Sequence, residues 1–481
     1  RTSSLSGIYD QTKMNTLRYH YGQLSLELLI FSAVTVILMG GFVLWAGSFL
    51  NLSVRDFNKN LAFSIAEGGI EYYRWHLAHA SGDYQDGTGS AGPYVHNYYS
   101  KDGDFLGTFS LEITPPSTGS NIVRVKSTGR VAADSSIEKI IEVRFAIPSF
   151  AKYAWVLDSD VTFGSTAKVF GAIHSNAGIH FDGTAYNVIT SALTSYDDTD
   201  HSGGNEWAVH THRSSTDPLP PTAMPSRPDV FMAGREVGVP ALDFAQITQD
   251  LATIRDTASS TGYYFPSSTA RGYDVVLATS GIMSVYRVTA TTTVSSCTGS
   301  ASGWGTWSIQ SETLVATRTI PVSGSIFFED NIWVRGRIDG RRITIGAGRF
   351  PDNASTRANV TINSDISYTN FDGSDAIGLI AQNNINIGLS SEDDLRIDAA
   401  LIAQNGRFGR YSYSSSACGS ARSRSQLTTY GMIASAKRSG VYYSSTNGYQ
   451  NRDYIYDTNL LYAPPPNFPL TTDQYIQVSW D

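Results

Sequence analysis

A chain of 481 residues has room for two or three domains. Only 16% of it is charged, well under the roughly 25% of an ordinary soluble domain, and Ser, Thr, Asn, Gly and Tyr fill the missing places, as on extracellular β-rich proteins. The net charge of −8 argues against a partner held by bulk charge attraction, nucleic acid above all.

Lys13, Arg18 and His20 precede the segment Gly22-Gln-Leu-Ser-Leu-Glu-Leu-Leu-Ile30, and an uncharged apolar run extends from Leu28 to Leu50. Such a run suits a membrane-spanning helix of about 20 residues and is too long for a cleaved secretory segment. The basic residues before it predict a cytoplasmic N-terminus. Glu27 lies near the head of the span. A charge inside a bilayer costs at least about 2.5 kcal/mol, so it needs a partner and a purpose. An uncleaved signal anchor with a snorkelling glutamate is the plainer explanation of the same residues.

The register of Gly22 with Glu27, the fifth residue after it, resembles the processing site of type IV prepilins. The resemblance implies that a prepilin peptidase cuts after Gly22 and releases Gln23 as the new N-terminus. It also implies that Glu27 pairs with the α-amino group of a neighbouring pilin subunit, each charge offsetting the other's desolvation. Gln23 stands where the family usually has phenylalanine or methionine. Met14 opens a leader of the length prepilins use, which reads Arg1 to Lys13 as upstream translation or a gene-model artefact.

The helix is expected to continue past the membrane. Phe57, Leu61, Ile65, Gly69, Tyr73 and Leu77 recur every fourth residue, with Arg55, Lys59, Glu67, Glu71 and Arg74 on other faces. Within it, Ala66-Glu-Gly-Gly-Ile-Glu71 is similar to an element of PilX-type minor pilins. After a loop over Ser81 to Gly103, alternation predicts strands at Phe105 to Thr114, Ile122 to Val131 and Ile137 to Phe145. Val123, Val125 and Ser127 form one face and Arg124, Lys126 and Thr128 the other. A sheet covering a helix stripe is the pilin layout, and Pro148 is expected to end this first domain.

The remainder carries an internal repeat: Ile173 to Phe181, Ile326 to Val334, Ile380 to Ile387, Ile402 to Phe408 and a weaker copy from Ile433. Each is a short apolar strand, a polar or glycine corner and a second strand. This pattern predicts a parallel β-helix. Between the first two copies lie a polar stretch (Thr194 to Asn205) and a proline-rich segment (Pro218 to Pro228). A short helix over Pro240 to Ala258 follows, with Leu242, Ile247, Leu251 and Ile254 as its stripe, then strands at Tyr273 to Thr279 and Met283 to Thr289. This block, the segment Phe327 to Gly346 after it and the tail from Tyr456 to Trp480 resemble the head regions of large pilin-like proteins with β-helical domains. The expected fold is mainly β with one long N-terminal α-helix. It comprises a leader (1–22), a pilin-like helix (23–80), an antiparallel sheet (81–150) and a β-helix head (151–481) with a large α+β insertion at about 190–320.

Cys297 and Cys418 are the only cysteines, compatible with a disulfide pinning the insertion to the solenoid and nearly as well with two free thiols. Glu392, Asp393, Asp394 and Asp398, with Arg396, are the nearest thing to a glycosidase-like carboxylate set, yet consecutive acids in a turn are usually solvated. Asp197, Asp198, Asp200, Asn205 and Glu206 lack the spacing of a calcium loop. His201, His210 and His212 invite a zinc reading but show no partner at ligand spacing. No metal, cofactor or enzymatic activity is therefore expected. Arg335, Arg337, Arg341, Arg342 and Arg349 are the only candidate basic patch, and rung positions explain them as well. Tyr411, Tyr413, Tyr442, Tyr443, Tyr449, Tyr454 and Tyr456 either ladder along strands or offer a surface to a glycan or cell-surface ligand. These features make a minor pilin-like subunit the expected function. The partners implied are other pilins, the peptidase and the membrane. The alternative is a membrane-tethered β-helix that binds or degrades polysaccharide outside any filament.

Overall fold

The computed structural model describes residues 16–116, 120–147, 149–244, 246–297, 305–461, 463–470 and 474–480. The leader before residue 16, and Pro148 with its expected domain end, lie outside them. Helix α1 runs from Thr16 to His79. No proline interrupts it, so the backbone ladder continues through apolar and amphipathic halves alike. Its last turn closes by a bond from the Ala80 amide to the His76 carbonyl, and the His76 ring lies 3.1 Å from Asp83.

The two halves of α1 differ in burial. No residue from Leu24 to Phe57 is buried, whereas Asn58, Ala62, Ile65, Ala66, Ile70, Tyr73 and Leu77 are. Phe57 was expected to open the covered stripe but is exposed; the stripe starts one residue later and follows the 3.6-residue period instead of a strict fourth. Close approach depends on glycine. A Cβ on Gly69 would stand 2.4 Å from the Ser127 hydroxyl, and one on Gly129 would stand 2.2 Å from the Ala62 carbonyl oxygen.

The antiparallel sheet contains β1 (Tyr94–Tyr99), β2 (Phe105–Thr114), β3 (Ile122–Val131) and β4 (Asp134–Ala146), neighbours in that order. β2 and β3 match the sequence expectation residue for residue, with Val123, Val125 and Ser127 buried. β1 falls where a loop was expected. It is stabilised by pairing with β2, Tyr94 opposite Leu111, and its Tyr94 is buried. The strand Ile476–Trp480 pairs with the end of β4, Ile476 opposite Ala146.

Two compact units form. One holds α1 up to Tyr73 with Ser90–Glu112 and Lys126–Glu142; the other holds Arg74–Gly89, Ile113–Val125 and Val143–Asp481. The second is mostly β, dominated by a 22-stranded sheet with many parallel pairings. Along one ladder, Ile326 pairs with Ile345, Ile345 with Leu379, and Ile380 with Ile402. Leu401 then pairs with Ile433, Ile433 with Trp155, Trp155 with Ile173, and Ile173 with Ile189. A second ladder joins Ile332, Val360, Ile385 and Phe408. The repeat copies are thus stacked neighbours; Ile173, Ile326, Ile385 and Ile433 are buried in one apolar cluster, and Ile380 and Ile402 in a second, with Phe327 and Leu251.

The chain enters this stack in the middle. Strands from Trp155 to Val237 extend it on one side. Helix α2 (Gln246–Thr261) and the strand Tyr263–Phe265 then resume it at the other side, where Tyr263 pairs with Ile326. Residues 189–191 and 235–237, within the segment read as an insertion, are therefore ladder strands. α2 starts later than expected, so Leu242 precedes it. Leu251, Ile254 and Ala258 bury themselves against Phe327; the side chain of Ile247 lies outside the description. The expected strands appear at Gly272–Leu277 and Ile282–Thr291, and an unanticipated third, Ile309–Thr319, completes an antiparallel meander.

Candidate functional site

Along α1 from Leu24 to Val54, Glu27 is the sole ionisable side chain. The hydroxyls of Ser32, Thr35 and Ser48 donate to the carbonyls of Leu29, Phe31 and Leu44, so these three polar groups are satisfied within the helix, as an apolar solvent requires. Among the described residues, α1 is the one helix long and apolar enough to cross a membrane. Gly22 and Gln23 lie within its first turns, where only the backbone is described. A long apolar N-terminal helix followed by an antiparallel sheet fits a pilin-like N-terminus.

The other sequence candidates separate. Cys297 and Cys418 form a disulfide packed with Leu389, Tyr411 and Tyr413. Asp398 is fully buried, accepting from the Tyr368 amide at 3.0 Å and from Arg396 Nε at 2.9 Å. Asp393 instead caps Ser425, and Asp394 is exposed. These acids do not converge on one point. Arg335 pairs with buried Asp274, Arg349 with Asp330, and Arg342 donates to the carbonyls of Ala463 and Pro464. Three of the five patch arginines are thus engaged internally. Of the seven tyrosines, Tyr442 and Tyr443 are exposed, whereas Tyr411, Tyr413, Tyr449 and Tyr454 are buried.

The histidines converge. The strand Ile179–Phe181 pairs in parallel with Val209–His210, setting His180 beside His210. The antiparallel hairpin of Ser195–Asp197 and Asn205–Trp207 brings its connection, with Asp198 and His201, and the side chain of Glu206 onto that pair. His201 Nε2 lies 3.3 Å from Asp198 Oδ2 and 3.2 Å from Glu206 Oε2. His210 Nε2 lies 3.5 Å and 3.0 Å from the same two oxygens. His212 Nε2 stands 2.9 Å from Glu206 Oε1, and His180 Nδ1 stands 3.0 Å from Asp198 Oδ2.

Electrostatics here are set by burial and by these carboxylates. Burial lowers His210 to about 4, against the raising influence of Glu206. For His180 burial also presses downward, but the hydrogen bond and charge of Asp182, with Asp198, outweigh it and raise the ring above its ordinary value. Burial would raise Asp198, yet the Asp200 amide and the surrounding histidines hold it below the usual carboxylate range. Sequence reading missed His180 and Asp182. The available signal was a histidine centred in an apolar rung, Ile179-His-Phe181, where a hydrophobic neighbour pair surrounds one titratable ring.

No family model and no curated protein sequence matches the chain. Among solved structures, the chain is similar to the competence-associated pilin ComZ from Thermus thermophilus. The two are 13% identical, the match covers 88% of this chain and 97% of that one, and the TM-score is 0.28.

Proposed function

We propose that the chain is a minor, pilin-like structural subunit of a type IV pilus or related filament, anchored by α1 and displaying a β-helix head. In this reading the peptidase cuts after Gly22. Glu27 then pairs with the free α-amine of a neighbouring subunit and sets its axial register. The parallel ladders wind as the β-helix, and a head of this size suits a tip or sparse position, because it would crowd a regular filament. The head presents a surface for adhesion, with Tyr442 and Tyr443 as its exposed aromatic contacts, and performs no catalysis.

The observation that carries the reading is the division of one continuous helix. Its first half is apolar, exposed on all faces and interrupted by a single carboxylate, while its second half is covered by a sheet. An exposed apolar half needs lipid or other helices around it. A carboxylate in that half needs a cation. Replacing Glu27 with Gln keeps the size and removes the charge. The expected result is unchanged membrane insertion with at least about tenfold less protein in sheared filaments, the loss of a pairing worth about 1.4 kcal/mol or more. Equal recovery from filaments contradicts the pairing; absence of the wild-type protein from filaments favours a tethered surface protein.

A further inference from the structure

We propose that His201, His210 and His212, with the carboxylate of Glu206, form a site for one divalent transition-metal ion of the zinc class, which clips the Ser195–Trp207 hairpin to the strand Val209–His210. Four donors held about 2.0–2.1 Å from one ion in a tetrahedron stand about 3.3–3.4 Å apart. The Glu206 carboxylate stands 3.2, 3.0 and 2.9 Å from the Nε2 atoms of His201, His210 and His212. His201 and His210 also belong to both overlapping groups of potential ligands in this region, one completed by His180 and Asp198, the other by Glu206 and His212.

The unsatisfied atoms point the same way. His201 Nε2, His210 Nε2 and Glu206 Oε2 are buried, and among the described residues none makes a hydrogen bond, although they face one another at contact distance. His210 and Glu206 are themselves more than nine-tenths buried. The Nδ1 of His210 lies 3.1 Å from the Trp207 carbonyl, an acceptor only, so Nδ1 carries the proton and the Nε2 lone pair turns inward. A lone pair aimed at a carboxylate oxygen is repulsive unless a cation lies between them. Burying such atoms without a partner is unfavourable, most of all for a charged group.

A supporting shell is also present. His180 Nδ1 lies 3.0 Å from Asp198 Oδ2, and its Nε2 lies 3.2 Å from Asp182. Asp182 in turn accepts from the Thr211 hydroxyl at 3.0 Å and the His212 amide at 2.8 Å. Asp198 Oδ2 also stands 3.3 and 3.5 Å from the Nε2 atoms of His201 and His210. Such outer contacts orient ligands and fix ring tautomers. Asp200 and Asp160 lie at the edge, both paired with Arg438, so the groups facing the centre are acids and imidazoles. An imidazole-rich set favours zinc, copper, nickel or iron over calcium, which takes six to eight oxygens. Four protein ligands leave no open position, the mark of a structural and not a catalytic site.

The test uses the full chain in detergent, stripped with a chelator and titrated with zinc chloride or cobalt chloride. The expected result is one ion per chain, strong visible absorption from tetrahedral cobalt, and a higher melting temperature with zinc. His201→Gln combined with His210→Gln is expected to weaken binding at least about 100-fold, while His174→Gln, outside the cluster, leaves it unchanged. Failure of the folded, stripped protein to take up either ion overturns the site, as does unchanged affinity in the double variant. If the double variant fails to fold, the wild-type cobalt spectrum decides. Intense tetrahedral bands support the site, and the pale spectrum of a hydrated surface ion overturns it.

Discussion

Asp398 has no exposed surface, and its oxygens accept from Arg396 and from the Tyr368 amide. Burial raises its pKa, the amide and the guanidinium oppose the rise, and the net shift is upward. A carboxyl raised in the folded state contributes stability that is fully present below its unfolded value, near 3.9, and is lost as pH rises through the folded value. Wild type is therefore expected to gain stability relative to Asp398→Asn as pH falls from 7 towards 4, measured by denaturant unfolding of the head signal. A difference that stays flat, or moves against wild type, contradicts the assignment. The sequence grouped Asp398 with Glu392, Asp393 and Asp394 because they are close along the chain. They differ because Glu392 and Asp393 lie in the turn before the strand Asp394–Ala403 and Asp394 opens that strand exposed, whereas Asp398 lies within it, covered and held by Arg396 and the Tyr368 amide. The histidines show the reverse error. His180 and His210 are distant in sequence but adjacent across a parallel rung, and no local spacing rule reports a neighbour on another strand.

At the scale of elements, the helix–sheet unit depends on backbone approach. A Cβ on Gly129 would meet the Ala62 carbonyl oxygen at 2.2 Å and the Ala66 nitrogen at 2.5 Å, neither of which can swing aside. Gly129→Val is expected to cost about 1–3 kcal/mol or more by overpacking and to raise the rate of tryptic cleavage in β3 and β4. An unchanged cleavage rate contradicts the packing. β2 and β3 were legible because their alternation is strict and half-buried. β1 was not, because its sequence, Tyr-Val-His-Asn-Tyr-Tyr, buries one side chain and depends on β2 for its ladder. The covered half of α1 was legible in outline, while its true start at Asn58 depended on where the sheet reaches the helix.

For the whole molecule, the sequence revealed that the head repeats but not how the copies connect. Ile380 and Ile402, close in sequence, are register partners, as their spacing suggested. The contact of Trp155 with Ile433 was not legible, because it joins the first strand of the head in sequence to the last repeat copy. Such long-range parallel pairing is set by which apolar rungs can cover one another, which no single segment encodes. The same limit applies at the N-terminus. Residues Gly22 to Ile30 specify a charged position in an apolar helix, and the proposed role takes its partner from outside this chain.

The most direct measurement is the intact mass and N-terminal sequence of the protein recovered from native surface filaments. The proposed role predicts a mature chain that begins at Gln23. A chain that keeps Gly22 and the leader before it, and is found only in membranes, contradicts the pilin-like assignment.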